Sequence, residues 1–291
     1  MKIEIKEPQW YWQKGNRENQ EDALYPTDYD EQHPFFVVCD GVGGNDCGEV
    51  ASNLVCETFG EYLTGMFVKG GTLDVKTFED VLTLIWEKLY DNRKISQTMA
   101  TTLAFAAITS DGVFVAHIGD SRVYQIRPSE GIIFQTEDHS LVNELLKNKL
   151  ITLEEVENHP KRNVITRCMN VQKNCRGYDE ATINIIRKVE AGDIFLICSD
   201  GVYDEIDDKN IAGILSEGIS LSEKREKLAK STVNSKDNNT AILIEISSVE
   251  KGEDDNEGNI TIETQVSSNG MSTLIKQIGI SAKKWFGKLF N

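Results

Sequence analysis

The sequence predicts an α+β sandwich, followed by a short stretch of different composition. Three observations carry this. Apolar strand-like runs and amphipathic helices come in groups rather than in strict alternation, which disfavours a doubly wound parallel sheet. No long polar gap interrupts the first 249 of the 291 residues, so one catalytic-sized domain is the simplest division. The composition, 40% hydrophobic and 27% charged, is that of an ordinary globular chain and excludes a disordered or fibrous one.

Taken in order, short apolar runs ended by Gly, Asp or Ser predict strands over 35–39, 103–109, 113–118, 122–126, 194–198 and 241–246. Val50, Ala51, Leu54, Val55, Phe59, Tyr62 and Leu63 fall on one stripe of a helix over 48–66. The pattern repeats over 74–92 with Phe78, Val81, Leu82, Ile85 and Leu89. Between 136 and 168 the chain turns more polar, with small helices expected at 141–148 and 152–158; Thr152 and Glu155 open the second at capping-box spacing. A further helical pair, 208–216 and 222–233, precedes the last strand.

Charge and cysteine usage narrow the function. Lysine and arginine number 31 against 47 acids, a net charge of −16, which repels nucleic acid. Cys39, Cys47, Cys56, Cys168, Cys175 and Cys198 show no C-x-x-C spacing and read as reduced thiols. The first residues, MKIEIKEPQW, place acids where a secretory signal would be apolar, and no run of about 18 uncharged apolar residues occurs, so a cytoplasmic location is expected.

The chemistry lies in carboxylates. Asp40, Asp120 and Asp200 each stand at the end of an apolar strand, where a rigid sheet rim holds the side chain facing outward. Asp237 precedes the strand 241–246 and reaches the same rim from the other direction, and Glu21 and Asp22 lie side by side near the start of the chain. Singly, Asp-Gly and Gly-Asp-Ser are common turns. Together, six such groups on one rim repel one another unless cations sit among them. An oxygen-only set lacking Cys and His favours Mg or Mn over Zn. Arg17, four residues before Glu21, is a strong cation suited to a phosphate, since a guanidinium holds two oxygens at once.

These residues resemble the metal-dependent protein phosphatases of type 2C, the PPM family, in its bacterial branch. The match is ordered: Arg17 with Glu21-Asp22, then Asp40-Gly41-Val42-Gly43-Gly44, Thr101-Thr102, Gly119-Asp120-Ser121-Arg122, Asp138-His139-Ser140, HPKRNVITR over 159–167, Asp200-Gly201 and Asp237-Asn238-Asn239-Thr240. The resemblance covers about residues 5–247. It implies a four-layer α-β-β-α sandwich with two central antiparallel sheets and a small helical flap at about 136–168, all within a catalytic domain of residues 1–248.

It also implies a protein serine/threonine phosphatase using two Mn2+ or Mg2+ ions, with a third, weaker one. Asp40 would bridge two metals, Asp200 and Asp237 would complete one, and the Gly41 carbonyl would serve the other. Asp120 with Asp200 would bind the third, while Glu21 and Asp22 hold metal-bound waters. Two cations about 3.5–4 Å apart acidify the water between them, and the resulting hydroxide attacks phosphorus in line without a phosphoenzyme. Arg17 would grip the phosphate. The expected substrates are phosphoproteins, opposed by a cognate bacterial Ser/Thr kinase.

The sequence departs from the family at three places. Val42 stands where eukaryotic members carry a His proposed as general acid, so a metal-bound water is the expected proton donor. Met99-Ala100 precedes the paired Thr in place of a Gly, and 148–150 lacks a Gly between the flap helices. His139 and His159 fall in the flap, where a structural role is the stronger expectation. Two other readings stay open: the same fold without activity, and a metal nuclease.

From 250 to 263 the chain carries six acids and one Lys, and 249–270 is expected to be an acidic linker. The segment 271–291 reverses the sign, with four Lys, no acids and apolar Leu274, Ile275, Ile278, Trp285, Phe286, Leu289 and Phe290. It reads as a basic amphipathic helix for a membrane surface or a partner, giving a peripheral position at the membrane, or as a helix packed on its own domain, or as a disordered end.

Overall fold

All five residues of the strand Phe35–Cys39 are buried, and its two faces go to different places. Side chains alternate along a strand. Phe35, Val37 and Cys39 pack with Val55, Phe59 and Leu63 of the helix Gly48–Val68 and with Phe78, Leu82 and Ile85 of the helix Val75–Asp91. Phe36 and Val38 instead meet Val123, Phe195, Ile197, Ile242 and Ile244 of a second sheet. That second sheet turns Tyr124, Leu196, Cys198 and Leu243 outward onto Val202, Ile211, Leu215 and Leu228 of another helical layer. Three apolar interfaces therefore stack four layers, α-β-β-α, as expected. This computed structural model describes residues 1–29, 34–42, 47–171, 180–251 and 258–263; Gly43, Gly44, Cys175 and the segment 271–291 lie outside the described residues.

Both sheets are six-stranded and antiparallel. One runs Ile260–Glu263, Thr182–Ile186, Gly112–Ile118, Leu103–Thr109, Phe35–Cys39 and Ala23–Tyr25. The other runs Lys2–Ile5, Asn239–Glu250, Ile194–Cys198, Arg122–Arg127 and Gly131–Gln135, with Gln9–Gln13 also paired to Asn239–Glu250. The six expected strands are present. The strands that patterning missed are short, and most lie at sheet edges, where only one face needs to be apolar.

The flap consists of the helices Leu141–Lys147 and Leu153–Glu157. Ser140 caps the first by accepting from the Asn143 N–H, and Thr152 with Glu155 forms the expected capping box on the second. The five described cysteines are free thiols; Cys39, Cys56 and Cys198 are buried, whereas Cys47 and Cys168 are partly exposed. Among the described residues no helix is long and apolar enough to cross a membrane.

The stretch expected to be an acidic linker over 249–270 is partly sheet. Val249 and Glu250 pair with Ile3 and Lys2, and Ile260–Glu263 pairs with Thr182–Ile185 along the edge of the other sheet. Acid content alone hides this, because Ile260, Thr261 and Ile262 supply three β-branched residues that an open edge can use. Asn259 Oδ1 fixes the entry by accepting from the Arg187 and Lys188 N–H groups at 3.0 and 3.2 Å.

Phe105 is fully buried, with ring contacts to Phe35, Phe59, Phe78 and Phe114 at 5.1–6.4 Å. Phe105→Ala is expected to cost about 3–5 kcal/mol, read as a lower urea midpoint at unchanged m-value.

Candidate metal centre

Strand direction alone brings the acids together. Phe35–Cys39 and Gly112–Ile118 each lie antiparallel to Leu103–Thr109, so both end at the same rim, delivering Asp40 and, after Gly119, Asp120. In the other sheet Ile194–Cys198 ends where antiparallel Asn239–Glu250 begins, which sets Asp200 beside Asp237. Gly119-Asp120-Ser121 is the crossing between the sheets, since Ile118 closes one strand and Arg122 opens the next. The seam between two sheets thus becomes a rim of carboxylates.

Arg17, Glu21, Asp40, Gly41, Asp120, Asp200 and Asp237 line one cavity of about 220 Å³, together with Val42, Thr102, Asn163 and Ile165. Asp22 does not line it. Its side chain is 1% exposed behind the rim, where Oδ2 accepts from Ser199 Oγ at 2.8 Å. Arg17 and Asp237, expected to serve phosphate and metal separately, form an ion pair of 2.5 Å at the mouth, with 45% and 35% of their side chains exposed.

The supports are local and specific. The Asp40 N–H donates to Thr102 Oγ1, the Thr102 N–H donates to the Asp40 carbonyl, and Thr101 Oγ1 donates to the same carbonyl, at 2.8–3.0 Å. Thr102 Oγ1 also meets Ser121 Oγ at 2.6 Å, so the paired Thr braces both metal-side loops despite Met99-Ala100. Asn238 is a residue that sequence reasoning gave no role. Its amide donates to the Lys14 and Asn19 carbonyls and accepts from the Glu21 N–H, fastening the N-terminal loop to the Asp237 turn. Only the company of Asp237 in the sequence signalled it.

Two glycines allow the close approach. A Cβ on Gly201 would lie 2.0 Å from the Asn238 carbonyl oxygen, and one on Gly41 would lie 2.6 Å from the Gly48 carbonyl carbon. Either clash would spread the rim. On the outer side of Asp120, Tyr203 Oη donates to its carbonyl at 3.0 Å, while the Arg122 guanidinium covers the Tyr203 ring at 3.5 Å and grips Asp138 through two bonds of 2.7 Å.

Burial and mutual repulsion dominate the electrostatics. Burial, then the charges of Asp22, Asp200 and Asp120, push Asp40 well above the usual carboxylate range; Asp120 is raised by burial and by Asp200. Burial takes Asp200 to about 6 and Asp22 to about 7. Asp200 Oδ1 and Asp22 Oδ1 are buried with no hydrogen-bond partner. With Asp237 held on Arg17, no three His, Cys, Asp or Glu side chains among the described residues close on one coordination point. The cluster nonetheless has what hard divalent cations require: oxygen donors only, uncompensated negative charge and orphaned buried oxygens.

Among the described residues no histidine lines this cavity. His139 is structural. Its ring stacks on His117 at 4.4 Å, its Nδ1 accepts from the Gly119 N–H, and its Nε2 meets Thr182 Oγ1 at 2.9 Å. Burial and the neighbouring His117 lower its pKa to about 2, so the ring stays neutral.

Because folding raises the Asp22 and Asp200 pKa values above 3.8, the chelator-treated protein binds more protons folded than unfolded. It should be most stable below pH 3.8 as far as these groups go and lose that stability as pH rises through about 6 and about 7. Melting temperatures at pH 5 and pH 8 test this: the drop is expected in chelator and not with millimolar Mn2+.

A family model described as Protein phosphatase 2C matches residues 14–234. Protein phosphatase PhpP of Streptococcus pneumoniae is 34% identical over 223 residues, covering 72% of this chain and 85% of that protein. The crystal structure of the Mycobacterium tuberculosis serine/threonine phosphatase PstP/Ppp superposes with a TM-score of 0.71 at 27% identity, over 84% of this chain and 99% of that one. A PstP catalytic domain solved with two manganese ions shares the fold, at a TM-score of 0.67 and 24% identity over 84% of this chain and 99% of that one.

Proposed function

The chain belongs to the protein phosphatase 2C family and is a protein-serine/threonine phosphatase, and from this we propose that it hydrolyses phosphoserine and phosphothreonine at a binuclear divalent centre between its sheets. The observation that carries the reading is the convergence of Asp40, Asp120, Asp200 and Asp237 from both sheets on one cavity. Asp40 would be the bridging ligand in this proposal, on the wall of the cavity that residues of both sheets line. Asp200 and Asp237 would complete one site, the Gly41 carbonyl would serve the other, and Asp120 with Asp200 would hold a third ion. Two Mn2+ or Mg2+ ions bound there supply an acidified water as nucleophile, so no phosphoenzyme is needed.

The chain's own groups do the rest. Glu21 faces the cavity and orients solvent, while Asp22 acts from behind through Ser199. Arg17 lies at the mouth with enough freedom to leave Asp237 for an incoming phosphate. That exchange frees the Asp237 carboxylate for a cation at the moment a phosphate takes the guanidinium. Thr101 and Thr102 keep Asp40 fixed on its strand end. Acidic walls next to the cavity disfavour a nuclease, which must accept a polyanion. The substrates are phosphoproteins, and the opposing enzyme is a Ser/Thr kinase of the same cell.

Mn2+-dependent hydrolysis of a phosphopeptide tests the reading; no turnover with metal bound would leave only the fold without activity. Asp40→Asn and Asp200→Asn should each reduce turnover to background at saturating Mn2+, with an unchanged circular dichroism spectrum. Near-normal turnover of Asp40→Asn would remove the bridging assignment. Loss of a charge-assisted hydrogen bond costs about 1.5–3 kcal/mol, so Arg17→Ala should raise KM about ten- to a hundredfold while kcat changes less.

A further inference from the structure

A groove of about 830 Å³ opens from the metal cavity between the flap and the helices Asp200–Tyr203 and Asp208–Leu215. Asp120 and Asp200 form the end it shares with that cavity, and the unpartnered Oδ1 of Asp200 is buried in its floor. Beyond them its walls carry Glu137, Asp138, Asp204, Asp207 and Asp208 against Arg122 and Arg162. Arg122 is committed to Asp138 and Glu137 pairs with Lys147 at 3.1 Å, while Asp204 and Asp207 stand exposed as surplus negative charge. The flap adds Val142 and Val156 to the lining, and elsewhere it exposes Leu150, Leu153 and Val164 at 64%, 73% and 44%. Acid and apolar surface together call for a ligand that is both cationic and amphipathic, which an ion or a nucleotide is not.

The chain itself supplies one at this place. Glu263 pairs with Thr182 at the sheet edge, and Thr182 Oγ1 lies 2.9 Å from Nε2 of His139, whose neighbours Asp138 and Ser140 line the groove. The described chain therefore ends beside Thr182, whose side chain contacts the flap next to the residues that line the groove. Residues 264–270 reach up to about 25 Å when extended. The segment that follows, 271–291, carries Lys276, Lys283, Lys284 and Lys288, no acids, and Leu274, Ile275, Ile278, Trp285 and Phe286.

We propose that residues 271–291 dock in cis in the acidic groove between the flap and the helix Asp208–Leu215, where they compete with a phosphoprotein for access to the metal centre. The proposal rests on the phosphatase reading for its consequence and on charge and chain geometry for the docking itself. A short tether holds the segment at an effective concentration of order 1 mM, so weak affinity suffices. Substrate then displaces it by binding, and salt loosens it because the groove's exposed charges are screened over about 8–10 Å.

Zero-length carbodiimide coupling of the monomeric full chain, read by mass spectrometry, tests the docking without needing turnover. Lysines of 271–291 are expected to couple to Asp204 or Asp207, and the Asp204→Asn/Asp207→Asn variant should lose most of that coupling; Asn keeps the helix cap that position 207 provides. In parallel, replacing Lys276, Lys283, Lys284 and Lys288 by Gln in the full chain should lower KM for a phosphopeptide about fivefold or more and leave para-nitrophenyl phosphate hydrolysis unchanged. Coupling confined to other parts of the chain, or unchanged KM in the lysine variant, overturns the proposal. Sedimentation of the wild type but not the lysine variant with phosphatidylglycerol vesicles, without groove coupling, would assign the segment to a membrane surface instead. Groove coupling in a protein that lacks turnover would uphold the docking and overturn only the phosphatase reading.

Discussion

The constraint on which the rest depends is the repulsion among carboxylates gathered at the seam between two sheets. Burial raises the cost of charging Asp22, Asp40, Asp120 and Asp200, and repulsion adds to it: Asp22, Asp120 and Asp200 act on Asp40, and Asp200 acts on Asp22 and Asp120. A fold seeking stability alone would not assemble them, since desolvated charge without a partner is among the most costly features a core can hold. The sandwich can carry the cost because three apolar interfaces flank the seam, and because the rim is reinforced by hydrogen bonds that use no further charge. Thr101, Thr102, Ser199 and Asn238 are all neutral.

The same tension accounts for the geometry around Arg17. Its guanidinium is the one cation lining the cavity among the described residues, and it sits on Asp237, whose side chain is 35% exposed. A pair at the mouth, half in water, is cheap to open, since exposed ion pairs contribute only about 0–1 kcal/mol. Buried deeper, the same pair would lock Asp237 away from any cation. In the proposed function, a pair placed at the mouth would couple the arrival of a phosphate to the release of a carboxylate.

Charge is also uneven on a larger scale. The net charge of −16 is not spread over the surface alone; part of it lines the groove that leads to the metal cavity. Such a groove turns away nucleic acid and draws cationic peptides. The flap completes it on one side: a bridge between Ser140 and Ile165 closes the flap on itself, and the His117-His139 stack anchors it to the sheet.

Much of this was legible in the residues. The strands 35–39, 103–109 and 194–198 announce themselves because both their faces are buried and the run is continuously apolar, and an acid after such a run stands at a rim whatever the topology. The oxygen-only character of the site follows from residue types alone. What the chain order left open was convergence. Whether Asp40 and Asp200, 160 positions apart, face one cavity depends on two strands in different sheets ending at the same rim, which only antiparallel pairing decides. Likewise Asp22 reads as the equal of Glu21 until packing turns it behind the rim onto Ser199, and Ile260–Glu263 reads as linker until an open edge beside Thr182–Ile186 gives it hydrogen bonds to make. Local chemistry is written in the side chains; proximity across the chain is a property of the pairing between strands, and pairing is decided by burial of the whole.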